Sequence, residues 1–174
     1  NMIVGQLRRP PRSAQEAIAA GIMLAPEDRR HAGLVLPMSV KTNLSLASLR
    51  RDQRRGFLNR AAENGVATSI IEQLHIKTAG ERQVVRFLSG GNQQKVVLGK
   101  WLCLNPRLLL LDEPTRGMDV GAKEEIYKLI DELARQGVAI LFASSEMEEV
   151  IGLSDRVLVM HEGRISGELG RAEL

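Results

Sequence analysis

The feature that most constrains the fold is a run of four leucines that ends in two acidic residues. Residues 108–111 are all leucine, and Asp112 and Glu113 follow directly. A short apolar run without polar alternation is typical of a strand buried on both faces of a sheet. The spacing of apolar residues predicts that the chain continues as helix, strand, helix, strand and strand over residues 121–136, 138–143, 146–151, 156–160 and 164–169. Strands that alternate with helices at this spacing predict a parallel sheet with crossover helices.

The first half of the chain is predicted to be mainly helical. Residues 13–20 and 59–74 are rich in alanine and glutamate. Residues 50–60 between them carry five arginines, opposed only by Asp52. Such a basic run is typical of a solvated face, although it could also face anionic lipid headgroups.

The composition excludes several classes of protein. The single cysteine, Cys103, rules out an internal disulfide framework and a multi-cysteine zinc site. No apolar run in the sequence reaches the roughly 18 residues that cross a bilayer. A net charge of +3 and an aromatic content of 3% give no indication of a nucleic-acid partner.

A serine and two glycines precede another predicted helix, which Asn105 and Pro106 end. Ser89 is a favourable N-cap, and Gly90 and Gly91 leave the first backbone N–H groups of the helix open to close approach. Such a helix start can bind phosphate, but three residues of these types could also be an ordinary capped helix.

Asp112 and Glu113 stand where open α/β sheets bind their ligands, at the carboxyl end of a buried strand. Asp112 would hold Mg²⁺, usually through its water shell, and Glu113 would orient or deprotonate an attacking water. Taken alone, the pair could equally be two solvated acids before a proline turn.

The order of these motifs resembles the nucleotide-binding domain of an ABC transporter, over residues 13–169. The string from Ser89 to Gln94 is much more specific than its serine and glycines alone, and Asp112, Glu113 and Asp119 follow it at the family's spacing. The second nucleotide-binding domain of the tandem ATPases of bacterial monosaccharide importers is more similar still. The stretches that carry this narrower resemblance are residues 26–29, 92, 115–123 and 144–146. Residues 21–24 and 142–146 make the arabinose type the most similar, with ribose, galactose and xylose relatives close to it.

The resemblance implies an α/β fold that is part of a P-loop NTPase domain, a helical subdomain joined to a parallel-sheet core. Residues 1–25 would be a remnant of the ATPase core, residues 26–105 the helical subdomain with the signature motif, and residues 106–174 the α/β core. No G-x-x-x-x-G-K-[ST] phosphate loop occurs in the sequence. We therefore expect the 174 residues to be the C-terminal part of a longer ATPase whose phosphate loop lies upstream.

The resemblance also assigns roles to individual residues. The signature segment would contact the γ-phosphate of an ATP held mainly by a partner domain, and its nucleotide-binding residues are Ser89, Gly90, Gly91, Asn92 and Gln93. Asp112 would serve Mg²⁺, Glu113 would be catalytic, and Asp119 would communicate across the domain interface. Glu27 stands where many relatives carry a glutamine that senses Mg²⁺ and the membrane partner, and Ser145 where most carry a histidine that contacts the γ-phosphate. Together with Asp119, these two are the predicted interface and coupling residues.

The implied partners are ATP, Mg²⁺, the N-terminal nucleotide-binding domain of the same parent chain, transmembrane permease subunits and, indirectly, a periplasmic sugar-binding protein. The expected location is the cytoplasmic face of the bacterial inner membrane, and the 174 residues alone are expected to be inactive. Two alternatives stay open: a module that donates the signature surface without catalysing, and a DNA-repair ATPase of the same superfamily. The second would need a long coiled coil, and residues 26–74 lack sustained heptads.

Overall fold

The computed structural model describes residues 9–54 and 57–174, which fall into two compact units, one ending at Phe142 and one spanning Ala143–Leu174. The α-helices of the described residues are α1 (Ala14–Ala19), α2 (Val40–Ser45), α3 (Leu49–Asp52), α4 (Arg60–Gln73), α5 (Gly90–Leu102), α6 (Val120–Arg135) and α7 (Met147–Leu153). The strands are β1 (Ile22–Ala25), β2 (Gln53–Arg54), β3 (Phe57–Leu58), β4 (Leu108–Asp112), β5 (Ala139–Ala143), β6 (Arg156–His161) and β7 (Arg164–Gly170). A π-helical turn covers Arg29–Gly33.

The leucine run forms the central strand of a three-stranded sheet in the order β1, β4, β5. β1 and β4 are parallel, with Ile22 opposite Leu108 and Ala25 opposite Leu111. Leu109 and Leu111 are buried and their two leucine neighbours half-buried, so the predicted parallel strand is confirmed. Sequence reasoning did not identify β1, because four residues directly after an alanine-rich helix are too short to show a strand period.

α5 is the most deeply buried helix of the first unit. Every residue from 92 to 100 is buried, because α2, α4 and α6 all pack against this helix. A Cβ at Gly99 would stand 2.5 Å from Ile70 of α4 and 2.8 Å from Leu44 of α2, so only glycine lets these helices approach. The surrounding helices bury polar and apolar positions of α5 alike.

Both predicted helices of the first half begin at a side-chain cap. Ser13 Oγ accepts a hydrogen bond from the N–H of Glu16 at 3.1 Å, and Asn59 Oδ1 accepts one from the N–H of Ala62 at 3.2 Å. α6 ends as predicted before Gly137, whose φ of +91° is accessible to glycine without strain.

The second unit contains an antiparallel hairpin. β6 pairs with β7 across a tight turn in which Glu162 and Gly163 have φ values of +48° and +75°. A two-residue connection can join only antiparallel neighbours, and β6 and β7 form a two-stranded sheet separate from that of β4 and β5. The expectation that this strand extends the parallel sheet was therefore wrong.

The basic stretch is partly structural. Arg51 pairs with Asp52 at 2.7 Å and donates from Nη1 to the carbonyl of Cys103 at 2.6 Å, which ties α3 to the end of α5. Arg50 and Arg60 are exposed, as a solvated face requires. Arg55, and residues 1–8 of the predicted remnant 1–25, lie outside the described residues.

Candidate functional site

The start of α5 is built as the capping pattern predicts. Ser89 is the N-cap, with extended backbone angles, and its Oγ faces the N–H of Asn92 at 3.5 Å. Ser89 is exposed, and Gly90 and Gly91 after it are half-buried, so the start of α5 is accessible from the surface. An N-terminal turn with exposed N–H groups and a positive dipole end is suited to bind an anion.

Both glycines have close neighbours, and at Gly91 the neighbour leaves no room for a side chain. A Cβ at Gly90 would stand 2.9 Å from a guanidinium nitrogen of Arg29 and 3.8 Å from the carbonyl oxygen of Gly117. A Cβ at Gly91 would stand 2.9 Å from the Cβ of Ala122 in the first turn of α6. The structure thus brings the predicted signature segment against the loop that follows the acidic pair.

The next two signature residues point into the protein. Asn92 is 8% exposed, and its amide bonds with the N–H of Lys77 and with Ser89 Oγ. Gln93 is 1% exposed and donates from Nε2 to the carbonyl of Val85 at 3.3 Å. The buried side chains of Asn92 and Gln93 thus pack inside the first turn of α5. Their assignment as nucleotide contacts stays a prediction.

The acidic pair lies at the carboxyl end of β4. Asp112 is the last residue of the strand and is exposed, and Glu113 follows half-buried with φ of +45°. A glutamate in the left-handed region is uncommon and is sterically costly, so the chain turns sharply between the two carboxylates. Pro114 and Thr115 beyond them are buried and anchor the turn.

Asp119 caps α6. Its Oδ1 accepts a hydrogen bond from the N–H of Ala122 at 2.9 Å, so this carboxylate has a structural role at the helix start. The side chain belongs to an exposed residue, which also leaves it open to a partner domain. Its predicted role in communication is compatible with this position and stays a prediction.

Two arginines near the signature turn were missed by sequence reasoning. Arg116 forms an ion pair with Glu27, and its carbonyl accepts a hydrogen bond from Arg29 Nη1 at 2.9 Å. Burial lowers the pKa of the Arg29 guanidinium, with Arg30 as a second cause. The predicted coupling residue Glu27 is therefore linked to the loop after the acidic pair. The resemblance had marked residues 26–29 and 115–123, but their contact has no signature in the linear sequence.

Ser145 lies in the second unit, between β5 and α7, in an exposed position. Its neighbour Ser144 shares a short hydrogen bond with the buried carboxylate of Glu149 and accepts one from the N–H of Glu146 at 3.0 Å. The segment is thus held by its own side chains. The role predicted for Ser145 stays a prediction.

The donor set suits a magnesium ion bound together with phosphate rather than a closed metal cage. Across residues 9–54 and 57–174, no three His, Cys, Asp or Glu side chains cluster as metal ligands. Mg²⁺ in nucleotide sites takes one or two carboxylates and completes its octahedron with water and phosphate oxygens. Asp112, exposed at its strand end, fits that requirement.

Within residues 9–54 and 57–174, none of the helices has the length and apolar character of a membrane span.

The architecture is similar to that of ATP-binding cassettes of known structure. A cassette in a dimeric post-hydrolysis state with ADP and phosphate superposes with a TM-score of 0.74 at 19% identity, over 90% of this chain and 66% of that one. A component of the cbiONQ transporter complex from Clostridium perfringens gives 0.74 at 24% identity, over 92% of this chain and 62% of the other. This likeness shows the ABC ATPase fold that the sequence predicted.

Curated relatives are import ATP-binding proteins for several sugars. A ribose import protein from Rubrobacter xylanophilus is 54% identical over 164 residues, which are 94% of this chain and 32% of the relative. A xylose import protein from Moorella thermoacetica is 54% identical over 93% of this chain and 32% of its own length. An arabinose import protein from Pectobacterium atrosepticum is 51% identical over 91% of this chain and 31% of its own length. The chain spans about a third of these relatives, and the arabinose type is not favoured over the ribose type.

The profile of the ABC transporter family matches residues 8–116, which is more than half of the 174 residues. That span contains the signature turn at the start of α5 and the acidic pair at the end of β4. Sequence relatives, fold and site geometry agree. The chain belongs to the ABC transporter family, and its sequence relatives are sugar import ATPases.

Proposed function

We propose that this chain is the part of a bacterial monosaccharide-import ATPase that presents the signature surface and the acidic strand. The observation that carries the proposal is the fit at Gly91, where the Cβ of Ala122 leaves no room for a side chain. A bare helix start held in this way exposes its N–H groups to the terminal phosphate of ATP. The ATP would be gripped mainly by a second nucleotide-binding domain.

The proposed reaction is attack of water on the γ-phosphorus of ATP. Glu113 orients the water and accepts its proton, and the left-handed backbone at this residue turns it away from the line of β4. Ser89 and the N–H groups of the signature turn would bind γ-phosphate oxygens of a second ATP, the one held mainly by the partner domain. Asp112 would hold Mg²⁺ through water, and the ion would neutralise charge on the phosphates.

In this proposal, the chain and its partner domain supply different parts of each ATP site. The 174 residues contain no lysine-bearing phosphate loop. The ATP that meets the signature turn would be held by the phosphate loop of a partner domain of the same parent protein. Within this proposal, residues 1–25 and 106–174 belong to the ATPase core and residues 26–105 to the helical subdomain. The ATPase would lie at the cytoplasmic face of the inner membrane. Closure of its two nucleotide-binding domains on ATP would drive the transmembrane permease subunits between inward- and outward-facing states, and a periplasmic binding protein would deliver the sugar.

We propose L-arabinose as the sugar because residues 21–24 and 142–146 resemble the arabinose type, although the sequence relatives do not favour that type over ribose. Ribose and xylose are supported by relatives with 54% identity. Stimulation of ATP hydrolysis in the vesicle-reconstituted importer by a binding protein loaded with each sugar in turn would identify the substrate. A stronger response to ribose or xylose would replace the arabinose proposal.

The signature role is tested in the assembled importer. Ser89→Arg places a bulky cation on the exposed signature surface and should lower the hydrolysis rate more than about 10-fold. Ser69→Arg, on the exposed side of α4, is the matched control and should hydrolyse ATP normally. Glu113→Gln should abolish hydrolysis while Mg·ATP binding is retained. Normal hydrolysis by Ser89→Arg would contradict the proposal.

A second candidate is a module that donates the signature surface without catalysing. It is favoured by Ser145, which cannot supply a switchable imidazole, and by the missing phosphate loop in the sequence. Calorimetric titration of the purified chain with Mg·ATP should show no binding up to about millimolar. Binding at micromolar ATP would show that the chain grips phosphate without that loop. Loss of hydrolysis in the importer on Glu113→Gln would exclude the non-catalytic alternative.

A further inference from the structure

Both ends of the Asn92 amide are engaged. Its Oδ1 accepts a hydrogen bond from the backbone N–H of Lys77 at 2.7 Å, and its Nδ2 donates to Ser89 Oγ at 2.8 Å. A backbone N–H can only donate, so the atom facing Lys77 must be the amide oxygen. The NH₂ group must then face Ser89, and the burial of Asn92 excludes competing water.

This arrangement determines what the Ser89 hydroxyl can do. Its oxygen receives the Nδ2 hydrogen of Asn92, and the backbone N–H of Asn92 points at the same oxygen from 3.5 Å. A hydroxyl has one proton and two lone pairs, and here both lone pairs face donors. The proton is left to point away from the helix, where Ser89 is exposed. The Ser89 hydroxyl can therefore donate its proton to an acceptor bound at the surface of the protein.

An ion-pair cluster holds the segment that orients the amide. Lys77 Nζ lies 3.0 Å from Glu125 Oε1, and Lys95 Nζ lies 2.9 Å from Glu125 Oε2. Lys95 also donates to the carbonyl of His75 at 3.3 Å, and its side chain is only 6% exposed. Residues 75–77 are therefore fixed by α5 and α6 together, and the Lys77 N–H is held in place.

We infer that Asn92 is a positioning residue, which orients the Ser89 O–H as a donor to the γ-phosphate and does not itself contact the nucleotide. This inference rests on the proposed function. The cluster of Lys77, Glu125 and Lys95 holds the Lys77 N–H in place, and this N–H prevents the side-chain amide of Asn92 from flipping. In this inference, the Asn92 side chain acts on the nucleotide only through Ser89, and not by the direct contact predicted from the resemblance.

Two substitutions separate orientation from support. Asn92→Asp keeps the shape and still accepts from Lys77, but its second oxygen takes the Ser89 proton and turns the donor inward. We expect kcat for ATP hydrolysis by the assembled importer to fall about 10-fold or more. Asn92→Ala removes both bonds and leaves the hydroxyl free to rotate, so the expected loss is smaller. A merely structural residue would give the reverse order, with Asn92→Ala the less active and the less thermally stable variant.

A double-mutant cycle removes the effect of the added charge. Ser89→Ala should slow hydrolysis about 10-fold, and Asn92→Asp added to it should cost less than about twofold more, because no hydroxyl is left to misdirect. Simple charge repulsion would persist in the Ser89→Ala background and would overturn the inference, as would full activity of Asn92→Asp. Unchanged hydrolysis by Ser89→Ala would instead overturn the proposed function itself.

Discussion

Gly91 in α5 and Ala122 in α6 touch at the signature turn, and a Cβ on Gly91 would stand 2.9 Å from the Cβ of Ala122. Real Cβ atoms do not approach so closely, so any side chain at position 91 must push the two helix starts apart. The contact joins the predicted phosphate-binding turn to the loop that carries Asp119. The distance between the starts of α5 and α6 therefore depends on the absence of a side chain at position 91.

Gly91→Ala tests this contact. We expect the free energy of unfolding to fall by about 1–3 kcal/mol, as overpacked substitutions generally do, because the helix starts cannot separate without disturbing α5. Urea unfolding of the chain measures the change. Gly65→Ala is the control, since Gly65 lies in α4 with nothing within 4 Å of the added methyl, and it should be stabilising by about 0.5–1 kcal/mol. Equal effects of the two substitutions would contradict the packing argument.

Asp119 combines a cap with a proposed interface role, and two substitutions separate them. Asp119→Ala removes the acceptor for the Ala122 N–H and should cost about 1 kcal/mol in urea unfolding. Asp119→Asn keeps an oxygen acceptor and should cost only a few tenths, from the lost charge at the helix start. If Asp119 communicates between domains, Asp119→Asn should still reduce hydrolysis in the assembled importer. Wild-type hydrolysis by a stable Asp119→Asn protein would leave only the capping role.

Glu125 should make stability depend on acid pH. Hydrogen bonding to Lys95, and then to Lys77, lowers the pKa of this carboxyl below its usual value. A depressed folded-state pKa means that the stabilisation is complete above the unfolded-state pKa and is lost as pH falls through the folded-state pKa. Wild type should therefore exceed Glu125→Gln in urea unfolding at neutral pH, and the difference should shrink as the pH falls below about 4.3.

Glu124→Gln provides the control for that titration. Glu124 is exposed on the neighbouring position of α6, and Glu124→Gln should differ little from wild type in urea unfolding at neutral pH. A gap between wild type and Glu125→Gln that stays constant with pH would show that the ion pairs with Lys77 and Lys95 do not stabilise the fold.

The β6–β7 turn uses an unfavourable residue. Glu162 and Gly163 both have positive φ, the geometry of a turn that prefers Asn-Gly. Glu162→Asn should raise the stability of the hairpin by up to about 1 kcal/mol, and Glu162→Val should lower it, because a β-branched residue is strained there. Amide hydrogen exchange of β6 and β7 reports the change. Slower exchange in the valine variant would contradict the assigned turn.

Local sequence predicted the elements whose signals are contained within a few residues. Ser13, Asn59 and Ser89 start helices because a capping oxygen acts on an N–H two or three residues away. The leucine run identified β4 because continuous apolar sequence fits a two-sided buried strand. β1 carried no such signal, and its four residues become a strand only because β4 offers a parallel partner.

The sequence by itself determined the chemistry available to this protein: a serine with two glycines at a helix start, two carboxylates at a strand end, and the family to which these motifs belong. Only the tertiary structure decided how they are supported. The ion pair of Glu27 with Arg116 and the cluster of Lys77, Lys95 and Glu125 join residues 30 to 89 positions apart. Local propensity cannot encode such contacts, because they exist only once helix packing has closed the intervening chain.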